Sequence, residues 1–342
     1  MPSVVLDLPQ PYLLFLGDTR EPRYAKTAFG LADWAPERCV GEWSSPGGGG
    51  VTTGLPVLTP AEAAARGAKA LVIGTAPVGG AITAAWVPSL VEALEAGLDL
   101  VSGMHSRLAD TPELKAAAER LGRRLIDVRT PPAGIPAGNG RKRTGQRLLT
   151  VGTDCALGKK YTALAIARAF KARGIDADFR ATGQTGIMIA GAGMPLDAVV
   201  ADFISGAAES LSPDAAPDHW DVVEGQGAIL HPAYSGVALG LLHGTQPDVI
   251  VVCHEVGRTH MLGFPGFPAQ TVEETIEANL LLARRTNPAV RCAGLSLNTS
   301  SLSEPDAAAA LAAESRRLGL PCADPIRGGA AFERLLDACL AS

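Results

Sequence analysis

Residues 147–170 read RLLTVGTDCALGKKYTALAIARAF. RLLTVG is an apolar run of strand length and KKYTALAIARAF carries helical spacing, so a strand, a glycine-bounded loop and a helix follow one another. As Gly152-x5-Gly158-Lys159, the loop has one residue more between its glycines than the commonest phosphate-loop spacing. Holding a phosphate takes backbone N–H groups curled around an anion, a helix N-terminus behind them and a lysine to offset the charge. All three are present here. Gly152, Thr153, Asp154, Cys155, Ala156, Gly158, Lys159, Lys160, Tyr161 and Thr162 are therefore the expected cofactor-binding residues.

The residue after Lys159 departs from the loops that hydrolyse nucleotides. Those place a Ser or Thr hydroxyl on magnesium, and this chain has Lys160. Thr162 is two residues further on, rotated by about 200° around the helix, and does not stand in for it. No metal is expected. Two lysines suit a cofactor held by its phosphates, such as coenzyme A, better than a nucleotide that is cleaved.

Working outward, the first 130 residues alternate short apolar runs (PYLLFLG, RCVGEW, ALVIGT, DLVSGM, RLIDVR) with amphipathic ones (AKTAFGLADW, TPAEAAARG, WVPSLVEALEAG, TPELKAAAERLG). Thr59 and Thr111 stand as N-caps before two of the latter. This is a βαβ series, whose solution is a parallel sheet covered by helices. Residues 131–146, PPAGIPAGNGRKRTGQ, lose the apolar period, and Arg141, Lys142 and Arg143 read as a solvated basic cluster. The alternation then restarts, with strands expected at DVVEG, DVIVVCH and RCAGLSLN. The expected division is an N-terminal domain over 1–135, a linker over 136–146 and a C-terminal domain over 147–342.

A chain of 342 residues, 47% hydrophobic and 19% charged, has material for two cores and too little charge for disorder. A net charge of −5 gives no general attraction for nucleic acid. The N-terminal MPSVVLDLPQPYLLFLGD lacks a basic leader, and its apolar stretch is far too short to cross a bilayer. A cytoplasmic protein with no membrane partner is expected. Six cysteines without a C-x-x-C pair indicate neither a zinc site nor a disulfide scaffold, and most read as buried small hydrophobes.

Downstream of the loop, HWDVVEGQG puts Glu224 at a strand's carboxyl end, where open α/β sheets bind ligands. FRATGQTGIMIAG, GQGAILHPAYSGVALGLLHG and CHEVGRTHMLGFPGFP are dense in hydrogen-bonding groups, and five of the six histidines fall between 219 and 260. GTDCALGK followed by EGQGAILHP resembles the dethiobiotin synthetase class of P-loop proteins. Over nearly the whole chain, GTDCALGKKYTA, RATGQTGIMIAGAGMPLDAVVADFISGAAE, DHWDVVEGQGAILHPAYSGVALGLLHG and RTNPAVRCAGLSLNTS, with AKTAFGLADWAPE, LVIGTAPVGG and SGMHSRLAD before them, resemble the D-glutamate N-acetyltransferase family.

That resemblance implies a Rossmann-like N-terminal domain and a C-terminal P-loop NTPase-like domain. It also implies transfer of acetyl from acetyl-CoA, as co-substrate, to the amine of D-glutamate. Such transfer needs a group to take the amine's proton, and Glu224 is the first candidate, with His231 and His260 as rivals. Two substrate carboxylates ask for forked or amide donors, and Arg107, Arg180, Thr182, Gln184 and Arg258 are the candidates. A small-molecule substrate and a homo-oligomer, taken as a dimer, complete the expectation. The rival reading is a Mg-ATP-dependent ligase or kinase of the dethiobiotin synthetase type acting on a small carboxylate. An NAD-dependent epimerase lacks its glycine fingerprint here, and a nucleotide sensor leaves the clustered polar groups unexplained.

Overall fold

A computed structural model describes residues 5–75 and 80–341. Positions 76–79 of the LVIGTAPVGG stretch, and the first four residues, lie outside the described residues. The chain opens with β1 (Leu6–Asp7), β2 (Tyr12–Gly17), α1 (Lys26–Trp34), β3 (Cys39–Ser44), α2 (Pro60–Ala65), β4 (Ala70–Ile73), α3 (Val87–Glu95), β5 (Asp99–Ser102), α4 (Pro112–Leu121) and β6 (Leu125–Asp127). Five of these strands form an all-parallel sheet in the order β3-β2-β4-β5-β6. Its core gathers Phe15, Trp43 and Trp86, whose rings pack tilted and edge-on at 5.6 Å. Thr59 caps α2 in a full capping box with Glu62, whereas Thr111 makes no side-chain cap at α4.

The second half begins with β7 (Gln146–Gly152), α5 (Lys159–Ala172) and β8 (Ala177–Arg180). It continues through α6 (Gln184–Ala190), β9 (Ala192–Gly193), α7 (Ile204–Leu211), β10 (Trp220–Val223), α8 (Ser235–Thr245) and β11 (Val249–Glu255). The hairpin β12 (His260–Met261) and β13 (Phe264–Pro268) follows, then α9 (Val272–Ala283), β14 (Arg291–Asn298), α10 (Glu304–Leu318), β15 (Cys322–Ala323) and α11 (Gly329–Leu340). Six strands make a second parallel sheet, β15-β14-β11-β7-β10-β8, with β7 between β11 and β10. Both sheets agree with the expected α/β class.

The chain separates into two compact units, and the division is not a single cut. One unit comprises Leu6–Pro131 together with Gln184–Pro195; the other takes Pro132–Gly183 and Leu196–Ser342. Helix α6 and strand β9, which a linear division assigns to the C-terminal domain, thus pack in the first unit. There β9 pairs antiparallel with β1, Leu8 N donates to Gly191 O at 2.8 Å, and Arg38 Nη1 donates to Ala190 O. Nothing in the local pattern of QTGIMIA marks such a change of partner, because its apolar side is as ready to cover one sheet as the other.

The basic cluster departs from a freely solvated run. Arg141 pairs with Asp214 and Lys142 with Asp248, while Arg143 is buried and donates through Nη2 to the carbonyls of Gly244 (2.6 Å) and Thr245 (3.0 Å). Burial pushes the Arg143 pKa down to about 10. The last carbonyls of α8 have no partner within their own helix, and a guanidinium meets two of them.

Candidate active site around the phosphate loop

Strand β7 is buried almost throughout and delivers the chain to Gly152. Beyond it Ala156 (φ 55°) and Gly158 (φ 104°) are left-handed, which curls the loop. For an alanine that conformation costs on the order of 1–2 kcal/mol, and the surrounding packing must hold it there. Gly158 as N-cap has no side chain to offer the first amides of α5, so the helix starts uncapped by any side chain. Lys159 is only 7% exposed; its Nζ donates to Asp154 O at 2.7 Å, and burial lowers its pKa. The ammonium therefore folds back across the loop instead of reaching into water. Lys160 stacks its Nζ 4.3 Å from the Tyr161 ring centroid.

Asp154 is fully buried and ties the loop to the next elements. Its Oδ1 accepts from Cys155 N at 2.6 Å, and its Oδ2 accepts from Leu262 N at 2.8 Å and from Arg258 Nη1 at 3.2 Å. Arg258 also donates through Nε to Glu255 at 2.9 Å. His231 is buried between Tyr234, stacked at 4.7 Å, and Phe264, edge-on at 4.9 Å. Its Nδ1 accepts from Ala233 N at 3.1 Å, so the neutral ring carries its proton on Nε2. That Nε2 has no hydrogen-bond partner and lies 3.6 Å from Asp154 Oδ1. Burial lowers the His231 pKa, with Asp154 pulling the other way. In that tautomer the buried Nε2 offers an N–H donor on the side of Asp154, and the ring has no free lone pair there for an amine's proton.

Asp154, Cys155 and His231 offer three donor atoms within 4.8 Å of one another, a grouping with the composition of a metal site. The surrounding charge does not suit a cation. Arg258 already holds Asp154, and Lys159 is among the charges acting on both Cys155 and His231.

Glu224 closes the other side of the loop. It is buried just past β10, and its Oε2 accepts from Thr182 N (3.0 Å) and Gly183 N (3.1 Å) while Thr182 Oγ1 donates to Glu224 O at 2.8 Å. Burial raises its pKa; Lys160, these amides and Lys159 lower it. The next residue has to be glycine, since a Cβ on Gly225 would lie 1.7 Å from Thr150 O. Thr182 and Glu224 thus form a clasp, with Gln226 Nε2 donating to Thr182 Oγ1 at 3.0 Å.

Other expected residues are placed elsewhere. Thr162 is buried with Oγ1 2.7 Å from Ser296 Oγ, facing the sheet and not an anion in the loop. Arg180 donates through Nε to buried Asp221 at 2.5 Å, a tie between β8 and β10 that uses its charge for structure. Gln184 and Arg107 belong to the unit of the first sheet, where Gln184 Oε1 accepts from Arg129 at 3.2 Å. His260 is exposed on β12, with Nδ1 3.1 Å from Thr259 Oγ1.

One member of the polar cluster CHEVGRTHMLGFPGFP, outside the expected catalytic set, also stands at the loop. In the sheet register Cys253 pairs with Gly152, so His254 stands beside Thr153, and its Nδ1 lies 2.8 Å from Thr153 Oγ1. It opens onto a cavity of about 530 Å³, lined also by Arg258, Thr259, Gln270, Glu314 and Arg317. The signal was present in DVIVVCH, a histidine closing an apolar run at a strand's carboxyl end.

With this geometry in hand, two family models match the chain. A Rossmann-like domain model, DUF1611_N, covers residues 37–131, and a P-loop domain model, DUF1611_C, covers 135–336. The chain belongs to the DUF1611 family. Its relatives include a protein of Tritonibacter scottomollicae named D-glutamate N-acetyltransferase, 51% identical over 97% of this chain and 98% of that one. Another of the same name, from a Pseudoalteromonas species, is 49% identical over 95% and 97%. A DUF1611 protein of Anabaena variabilis, solved as a crystal structure, is 35% identical with a TM-score of 0.82 over 97% of this chain and 99% of that one. Rossmann-like and P-loop units are thus what the two parallel sheets of this DUF1611 chain are. Among the described residues no helix is long and apolar enough to cross a membrane.

Proposed function

We propose that this chain is an acyltransferase that moves acetyl from acetyl-CoA to the amine of D-glutamate. One observation carries the reading: two proteins named for that activity share 51% and 49% of their residues with it over nearly its full length. The loop supports the choice of donor. Its curled amides, the uncapped start of α5, Lys159 and Lys160 suit the phosphates of coenzyme A. Arg258, held at the loop by Asp154, is the candidate for a substrate carboxylate, and the Nε2–H of His231 is a neutral donor within the same cluster. A reducing, cytoplasmic setting belongs to the same proposal, in keeping with six free cysteines. The Mg-ATP reading is disfavoured by donor chemistry: Lys160 replaces the magnesium hydroxyl, and Thr162 is committed to Ser296.

The test is a melting-temperature titration with acetyl-CoA, with ATP plus magnesium and with NAD, beside an assay of thiol release on adding D-glutamate. A ligand that binds only the folded chain raises its melting temperature, by an amount that grows with its concentration over Kd. Stabilisation by acetyl-CoA without added magnesium, with thiol released only when D-glutamate is present, is expected. A response confined to ATP and magnesium would overturn the proposal.

A further inference from the structure

The cavity beside the loop has a built interior. Gln270 is 8% exposed and lines it with an amide Nε2 that has no hydrogen-bond partner, a donor left unmet in the folded chain. Buried donors are met in the great majority of cases, so this one points to a missing acceptor. The charged lining residues already have partners: Arg258 pairs with Asp154 and Glu255, and Arg317 with Glu273 and Glu314. Thr271 Oγ1 is taken by Glu274 in the capping box of α9 and Thr259 Oγ1 lies 3.1 Å from His260 Nδ1, so what is left to meet a ligand is the Gln270 amide and apolar surface from Val256, Val272 and Leu297. That lining matches a neutral chain bearing amides and methyl groups. On the reading that the phosphates of acetyl-CoA sit in the adjoining loop, such a chain is the cofactor's pantetheine arm, which ends in the thioester.

His254 faces this space with a different hydrogen-bond logic from His231. Its Nδ1 is 2.8 Å from Thr153 Oγ1, a hydroxyl able to accept, and an Nδ1–H donated there leaves the Nε2 lone pair bare. The charged groups around the ring are Glu255 and Arg258 from the end of β11 and the turn after it, and Glu314 and Arg317 from α10; burial outweighs them and keeps the ring neutral. Glu224, by contrast, spends Oε2 on two backbone amides.

We infer that acyl transfer takes place in the cavity beside Thr153 and that His254, through Nε2, takes the proton from the attacking amine. The ammonium of the substrate gives one proton to solvent on binding as the free amine. Its nitrogen then attacks the thioester carbonyl, the C–N bond forms and the C–S bond breaks. The second proton passes to His254 Nε2 and from there to the departing coenzyme A thiolate, so that amide and free thiol are the products. This rests on the acetyltransferase reading above.

The deciding variant is His254→Asn, whose amide keeps a donor for Thr153 Oγ1 while removing Nε2. With acetyl-CoA and D-glutamate on the full chain, kcat should fall by about 10²–10⁴-fold. The acidic limb of the pH–rate profile should disappear, and the melting-temperature shift with coenzyme A should remain. In His254→Ala, added imidazole should restore part of the rate, which a merely structural histidine would not allow. If His254→Asn keeps its kcat and its acidic limb, or if Glu224→Gln alone loses both, the assignment to His254 is overturned while the acetyltransferase reading stands. A wild-type chain that releases no thiol from acetyl-CoA with D-glutamate removes that reading and this one with it.

Discussion

Strand β2 ends at Gly17 and strand β7 at Gly152, and each is an interior strand of its own parallel sheet. After Gly17 (φ 59°) the crevice is occupied by protein: a Cβ there would stand 2.7 Å from the Trp86 ring, and the indole Nε1 donates to Asp18 Oδ1 at 2.8 Å. At Gly152 the atoms nearest a Cβ belong to Lys159, Asp154 and Cys253, and none is aromatic. The loop curls through Ala156 and Gly158, and the nearest atom to a Cβ on Gly152 is Lys159 Nζ at 3.2 Å. The same position in two sheets of one class is a packing joint in one and a cationic cradle in the other. Sheet type does not decide which; the side chain that reaches the crevice does.

The largest effect expected from testing this contrast lies beneath the cradle. Gly225→Ala drives a methyl to 1.7 Å from a backbone carbonyl that has no rotamer to move aside, and should cost more than about 4 kcal/mol, read as loss of soluble protein or of the melting transition. The packing joint should yield more readily, with Gly17→Ala costing about 1–3 kcal/mol, because its neighbour is a side chain and the left-handed φ adds only part of that cost. Equal losses in the two variants would erase the distinction between backbone and side-chain constraint.

Next comes Lys159→Ala. Removing a charged donor worth about 1.5–3 kcal/mol should raise the KM for acetyl-CoA by roughly 10- to 100-fold and leave that for D-glutamate nearly unchanged. Parallel rises in both would count against a phosphate role for the cradle.

A smaller effect follows from the neutral histidines. Burial holds His231 below its ordinary range, so as pH falls through about 6.5 the unfolded chain gains a proton that the folded chain refuses. Stability at this residue is full above that pH and declines below it, by up to about 1.4 kcal/mol per pH unit. His254, also lowered by burial, adds to the same slope. His231→Gln should flatten the acid decline of the melting temperature by one proton's worth; an unaltered slope would mean that the folded chain takes the proton, and would void the donor role. Smallest is Asp18→Asn, which leaves the Trp86 Nε1 an uncharged acceptor, costs about 1 kcal/mol and should leave both KM values where they were.

Much of this was legible in the primary structure. Every strand named from PYLLFLG to RLIDVR is found within a residue or two, because buried parallel strands leave short apolar runs between turn formers. The loop was equally plain, since its chemistry is local: one segment supplies glycine, amides and lysine. What stayed hidden depends on who meets whom. Arg180 and Arg258 look alike as residues, yet one is absorbed by Asp221 across a strand pair and the other is held at the loop by Asp154. His231 and His254 are told apart by what faces Nδ1, a backbone amide in one case and a threonine hydroxyl in the other. Register and tautomer are properties of pairs, and composition carries no record of them.

The excursion of Gln184–Pro195 bears on how the protein is made. A ribosome that has finished Pro131 has synthesised all five strands of the first sheet, but α6 and β9 are still untranslated. At about 5–20 residues per second, the nascent first unit waits on the order of ten seconds for its last two elements. During that wait β1 has no partner strand and Arg38 lacks the carbonyl of Ala190. By the time those elements emerge, the whole phosphate loop and α5 have also left the tunnel, but β10, β11, β14 and β15 of the second sheet have not, so the first unit is completed while the second is still being made. An expression fragment that stops at Pro131 preserves that waiting state indefinitely.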